Sequence, residues 1–157
     1  MIEVPLTKGY IALIDDQDSW ITQYKWHVHI GRYGTPYAMT WVKGKNLSMH
    51  RLLLDFPTSE IDHINSNGLD NQRHNLRLAT HTNNCRNRKI QSNNSSGFKG
   101  IFWDNAKKRW RAELYSQGKG YRSKRFRDPR DAANAYDWLA IKHFGPFAKT
   151  NRMLGLH

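Results

Sequence analysis

Residues 60–84 read EIDHINSNGLDNQRHNLRLATHTNN, and the fold and chemistry of the chain turn on how this stretch is built. Asn and Gly are poor in helix and strand interiors and favour turns, where an Asn side chain bonds nearby backbone. A solvated loop would account for the polarity alone. It does not account for Asp62 and His63 set between the apolar Ile61 and Ile64. An acid beside a base at that place suits the end of a strand. The pattern predicts a strand ending in IDH, a polar loop from Asn65 to Asn75 and a return strand LRLA. Thr80 then caps a helix running to about Arg88.

Outward from this stretch, residues 1–56 read as short strands over 10–15, 24–30 and 36–42. Ser48 is placed to cap a helix MHRLLLDF whose Leu52, Leu53 and Phe56 face a core. His27 and His29 alternate with apolar residues and read as a solvent-facing pair on one strand face. Downstream, QSNNSSG (91–97) has no apolar anchor and reads as a linker. FKGIFW, KRWRAELY and GYRSKRF then read as three strands. DPRDAANAYDWLAIKHFG follows as a helix, with Asp128 at its cap, Pro129 in its first turn and Gly145 at its end. The expected class is α+β, with one domain over 1–90, a linker over 91–97 and a second domain over 98–157. The second is a three-stranded antiparallel sheet packed on one helix.

The formal charge of +12 and pI near 10.0 point to a polyanionic partner, most simply nucleic acid. The charge is uneven. Residues 1–90 carry eleven Lys or Arg against eight Asp or Glu, and residues 91–157 carry fourteen against five. Attraction to phosphate is therefore expected mainly from the second half. Cys85 is the only cysteine, which excludes an internal disulfide and a thiolate zinc cluster. No secretion signal or membrane-length apolar run is present, so the expected place is the cytoplasm, that of a bacterial host if the chain is phage-encoded. The basic residues lie among aromatics at strand spacing, not on an amphipathic helix, so a membrane partner is not expected.

Hydrolysing a phosphodiester needs a base for water and a cation for the charge that develops. His63 suits the first task, because an imidazole takes a proton near neutral pH. Asp62 can bind a hard divalent cation, and the amide oxygen of Asn84 can add a second oxygen. Water and phosphate oxygens fill the rest, as is usual for magnesium. No Ser/His/Asp or Cys/His nucleophile set and no phosphate-loop glycine pattern is present.

The order Asp62-His63, Asn75 in NLR and Asn84 nine residues on resembles the HNH nucleases. The similarity extends upstream through MHRLLLDF to VPLTKGYIALID and covers roughly residues 4–90. It resembles the homing endonucleases of phages and mobile introns in particular. The resemblance implies a two-strand-and-helix unit around one metal, with His63 as general base and Asp62 and Asn84 as metal ligands. It implies that Asn75 bonds backbone across the loop and fixes the orientation of His63. Asn84 stands where the family name has its second His. An oxygen ligand there favours Mg2+ or Mn2+ over zinc or nickel. His81, one turn earlier, is the alternative ligand, and His50 lies in an MHR that recurs in the family.

SGFKGIFWDNAKKRWRAEL and KRFRDPRDAANAYDWLAIKHFGPFAKTN resemble the APETALA-type DNA-binding domain of plant ethylene-response factors, over about residues 96–155. In that family the sheet reads DNA. The resemblance implies contacts from Lys99, Trp103, Arg109, Arg111, Arg122 and Lys124. Phe102 stands where plant relatives often have Arg, so base preference does not carry over. Strand alternation independently sets Arg109, Arg111, Glu113 and Tyr115 on one face and Trp110, Ala112 and Leu114 on the other. A charged, solvated sheet face is the plain alternative. The expected function is a sequence-directed endonuclease of the homing type, acting on double-stranded DNA as a monomer or dimer with one divalent metal. The rivals are a non-catalytic DNA-binding regulator on a decayed HNH scaffold, and an RNA-binding or RNA-cutting protein.

Overall fold

The computed structural model describes residues 1–31, 34–88, 90 and 94–156. The chain packs as two compact units, Met1–Asn84 and Cys85–His157. Both mix small antiparallel sheets with helix, in keeping with the α+β class. Among the described residues no helix is long and apolar enough to cross a membrane.

The first unit opens with the hairpin β1 (Ile2–Pro5) and β2 (Ile11–Ile14), then a 3₁₀ stretch over Asp16–Gln23. A meander follows: β3 (Trp26–Ile30), β4 (Pro36–Val42) and β5 (Lys45–Ser48). α1 spans Met49–Leu53. It stops short of Phe56 because Asp55 and Phe56 sit at φ 54° and 51°, in the left-handed region that no helix continues through. Phe56 is consequently exposed, not part of the core as expected. Ser48 makes no capping bond, and its hydroxyl instead lies 3.3 Å from Nε2 of His50. The core gathers Ile14, Ile21, Trp26, Met49, Leu53 and Ile61. Burying each large aliphatic side chain here contributes about 1.5–3 kcal/mol.

β6 (Glu60–His63) and β7 (Leu76–Ala79) form a two-stranded ribbon, with Asp62 opposite Arg77 and His63 opposite Leu76. α2 (His81–Arg86) follows, and Thr80 caps it by accepting from the amide of Asn83 at 3.2 Å. The expected strand–loop–strand–helix is therefore present, with a helix two residues shorter than expected. The sequence did not disclose what the loop leans on. Leu13 of β2 donates to the carbonyl of Leu69, and its own carbonyl accepts from the amide of Asn71, both at 2.8 Å. Arg73 grips the buried Asp18 through Nε and Nη2, at 2.9 and 2.7 Å. The loop is thus fastened to β2 on one side and to the 3₁₀ stretch that follows the hairpin on the other.

The second unit is the sheet β8 (Ile101–Asp104), β9 (Arg109–Ser116) and β10 (Lys119–Phe126), with β9 central, and α3 (Pro129–Phe144). Asp128 caps α3 through the amide of Arg130, as its place before Pro129 predicts. Ala112 and Leu114 of β9 pack with Ala132, Ala133, Tyr136 and Ala140 of α3. Gly100 lies so close that a Cβ would fall 2.0 Å from the ring of Tyr136, and its φ of +71° also favours glycine. Buried Asn151 closes the unit, accepting from the amide of Lys99 at 2.6 Å and donating to Asp137 at 2.9 Å. Of the expected linker, residues 91–93 lie outside the described residues. Asn94–Gly97 form a turn in which Asn94 Oδ1 accepts from the amides of Ser96 and Gly97.

Candidate functional site

The asparagines of the 60–84 stretch serve as the internal frame of its loop. Asn65 Oδ1 accepts from the amide of Asn67, and Asn67 Oδ1 accepts from that of Leu69, at 2.8 and 3.1 Å. Asn75, at the end of a 3₁₀ turn, spans the loop. It donates to the carbonyl of Asp70 at 2.7 Å and to Asn65 Oδ1 at 3.0 Å, and accepts from the amide of Asn65 at 3.0 Å. Gly68 packs on β4, where a Cβ would meet the carbonyl of Pro36 at 2.4 Å.

This frame holds His63 at its base. The ring is buried and its Nε2 lies 3.3 Å from Oδ1 of Asn71, which is fully buried. His50 meets it edge-on with ring centres 5.1 Å apart, and Tyr37 lies tilted against it at 6.0 Å. Burial pushes the His63 imidazole below the ordinary histidine range, against the pull of Asn71, Asp62 and Asp70. His50 is pushed down to about 3 by burial, then by the neighbouring His63 and Arg51. Both rings are therefore neutral at neutral pH, the state a base needs to accept a proton. Asn71 was not singled out from the sequence. Its backbone anchor is Leu13, far away along the chain, and only the fold shows it.

Asp62 and His63 are neighbours on β6 and point to opposite faces of the ribbon. Arg77 puts both Nε and Nη2 on Oδ2 of Asp62, at 2.8 and 2.6 Å. Glu60 shares the strand face of Asp62 and ties α2 down. Its Oε2 accepts from Nδ2 of Asn84 at 2.7 Å, and its Oε1 meets Nδ1 of His81 at 2.8 Å. Because the amide nitrogen of Asn84 faces Glu60, its oxygen is turned away from that carboxylate. A carboxylate and an amide oxygen make a hard donor set that fits Mg2+ or Mn2+. Among the described residues no three His, Cys, Asp or Glu side chains gather as a metal cage. A site of one carboxylate and one amide would leave most positions to water and substrate, the habit of Mg2+.

The chain is 31% identical over 155 residues to a protein of Acanthamoeba polyphaga mimivirus named an uncharacterized HNH endonuclease, covering 93% of this chain and 77% of that protein. The chain belongs to the HNH endonuclease family. It is also 37% identical over 79 residues to Protein 3.8 of Escherichia phage T7, covering 50% of this chain and 62% of that protein. No family model and no solved structure matches it. These relatives do not support the likeness of residues 96–155 to the APETALA type.

In this HNH chain the sheet of the second unit offers the other set of expected contacts. Arg109 and Arg111 share the face away from α3, and the register with Glu113 adds Arg122. Three expected contacts stand elsewhere. Trp103 pairs with Trp110 on the other face, with ring centres 5.0 Å apart. Lys99 donates its ammonium to the carbonyls of Arg86 and Arg88, at 2.8 and 2.6 Å, and burial lowers it to about 8. Lys124 lies over the ring of Phe126, because a β-bulge between Arg122 and Arg125 shifts the strand by one residue. Arg125 takes the place on the open face that plain alternation assigns to Lys124. Two carboxylates thread this face. Asp104 accepts from Arg125 at 2.7 Å and lies 3.7 Å from Arg111, while Glu113 pairs with Arg111 and, at 3.4 Å, with Arg122. The Asp104 carboxyl is held below its ordinary range by Arg125 and the amide of Lys107.

Proposed function

We propose that this HNH chain is a DNA endonuclease that hydrolyses phosphodiester bonds with one divalent cation. The observation that carries this is a buried His63, held against Asn71 and set beside Asp62, in a chain of the HNH family. His63 takes a proton from water, which attacks phosphorus in line. The bond to the 3′ oxygen breaks and that oxygen takes up a proton from solvent, leaving 5′-phosphate and 3′-hydroxyl ends. Asp62 and Asn84 would hold the cation, which when bound offsets charge on the phosphate and the departing oxygen. Asn75 keeps the loop around His63 closed. In the second unit, Arg109, Arg111 and Arg122 would grip duplex DNA, with Arg125 beside them. That both relatives are viral proteins supports a viral or mobile element as the source, and the homing role belongs to the same proposal.

The ion pair between Asp62 and Arg77 favours a second reading, a DNA-binding regulator on a decayed scaffold. There the fixed guanidinium takes the place of a metal. Nicking of supercoiled plasmid separates the two. The endonuclease nicks with Mg2+, and neither the wild type in chelator nor Asp62→Ala does. A regulator binds the plasmid and leaves it intact under every condition.

A further inference from the structure

We infer that Asn71 is a positioning residue that fixes His63 as its Nε2–H tautomer and so makes Nδ1 the atom that takes the proton. The inference rests on the assignment of His63 as general base. It follows from which groups can donate. The amide of Asn71 has one donor end and one acceptor end. Its Nδ2 donates to the carbonyl of Leu69 at 3.2 Å, and a carbonyl can only accept. The end facing His63 Nε2 at 3.3 Å is therefore the oxygen. An amide oxygen also only accepts, so Nε2 must carry the hydrogen. A neutral imidazole has one N–H, which leaves the lone pair on Nδ1.

Asn71 can impose this because it cannot turn. It is fully buried, and its own amide donates to the carbonyl of Leu13 at 2.8 Å. The amide of Leu13 in turn holds the carbonyl of Leu69, the acceptor that fixes the Asn71 amide. The N-terminal hairpin thus sets the atom at which His63 acts, although it lies outside the strand–loop–strand–helix that carries Asp62 and His63. Such a tie gives β2 a part in the chemistry as well as in the core.

Long-range 1H–15N spectra of the full chain test this directly, with the His63 signals assigned by their loss in His63→Ala. The wild type should show a protonated Nε2 and an unprotonated Nδ1 at neutral pH. Asn71→Leu keeps the branched shape and removes the acceptor. It should give a mixed tautomer and about 10–100-fold slower nicking, the usual cost of losing a group that orients a functional side chain, with DNA affinity unchanged. Asn71→Asp keeps an acceptor and should restore the tautomer. An Nδ1–H tautomer in the wild type overturns the inference, whether or not Asn71→Leu folds. So does Asn71→Leu with the wild-type tautomer, or with a changed tautomer and undiminished nicking. Undiminished nicking by His63→Ala would instead overturn the base assignment and leave the tautomer result standing.

Discussion

Arg77 and Asp62 face each other across the β6–β7 ladder, and both guanidinium donors converge on one carboxylate oxygen, at 2.8 and 2.6 Å. Both side chains are largely buried, at 16% and 5% exposure, so the pair is screened little by solvent. Removing one partner of such a pair leaves a buried charge and costs about 3–5 kcal/mol. Arg77→Met should therefore lose stability of that order in chelator. Mn2+ should recover part of it by binding the unpaired carboxylate of the folded state. Urea unfolding with and without Mn2+ measures both effects. Equal loss in the two conditions would mean that Asp62 does not take the cation.

The buried histidines set an acid limit. His50 titrates at about 3 in the folded chain and near 6.5 when unfolded, and His63 is shifted the same way. Between those values the unfolded state binds more protons, so stability rises with pH there. It is fully present above about 6.5 and falls as the pH drops, by about 1.4 kcal/mol per pH unit for each such group. His50→Phe should flatten the slope between pH 6.5 and 4.5 in urea titrations. An unchanged slope would place the acid sensitivity elsewhere.

Gly68 is required by contact, since its φ is not in the left-handed region. A Cβ there would press on backbone at Pro36 and on the ring of Tyr37, at 2.4 and 2.7 Å. Backbone cannot swing aside, so Gly68→Ala must lift the loop or push Tyr37 off His63. Overpacking of this kind costs about 1–3 kcal/mol. Thermal melts should show that loss, and nicking should fall beyond what the unfolded fraction explains. A variant with wild-type stability and activity would mean that the loop is looser than its contacts imply.

Arg125 and Lys124 are adjacent, yet the bulge sets only Arg125 on the face with Arg111. Arg125→Ala should weaken duplex binding and lower the slope of affinity against salt by about one unit. Lys124→Ala should change little. Titrations across salt with both variants decide this, and the reverse ranking would mean that DNA meets the other face.

Much of this was legible because local rules set it. Asp62 and His63 at a strand end, the cap of Thr80 and the Asp128-Pro129 start of α3 each depend on residues a few positions apart. The partners were not legible, because they depend on register. Arg77 reads as one more basic residue until β7 is laid against β6, and Asn71 reads as one more loop asparagine until Leu13 anchors it. β5 was missed because KNLS is short and polar, and is a strand only because β4 pairs with it. The displacement of Lys124 comes from one extra residue in β10, which alternation of side chains cannot reveal.

The assignment of His63 as the base is tested most directly by measuring nicking and duplex binding on the same samples of wild type and His63→Ala. With Mg2+, His63→Ala should nick roughly 10²–10⁴-fold more slowly, the contribution typical of a general base, while its affinity for DNA stays that of the wild type. A His63→Ala variant that nicks at the wild-type rate, or loses binding as steeply as it loses cleavage, would contradict it.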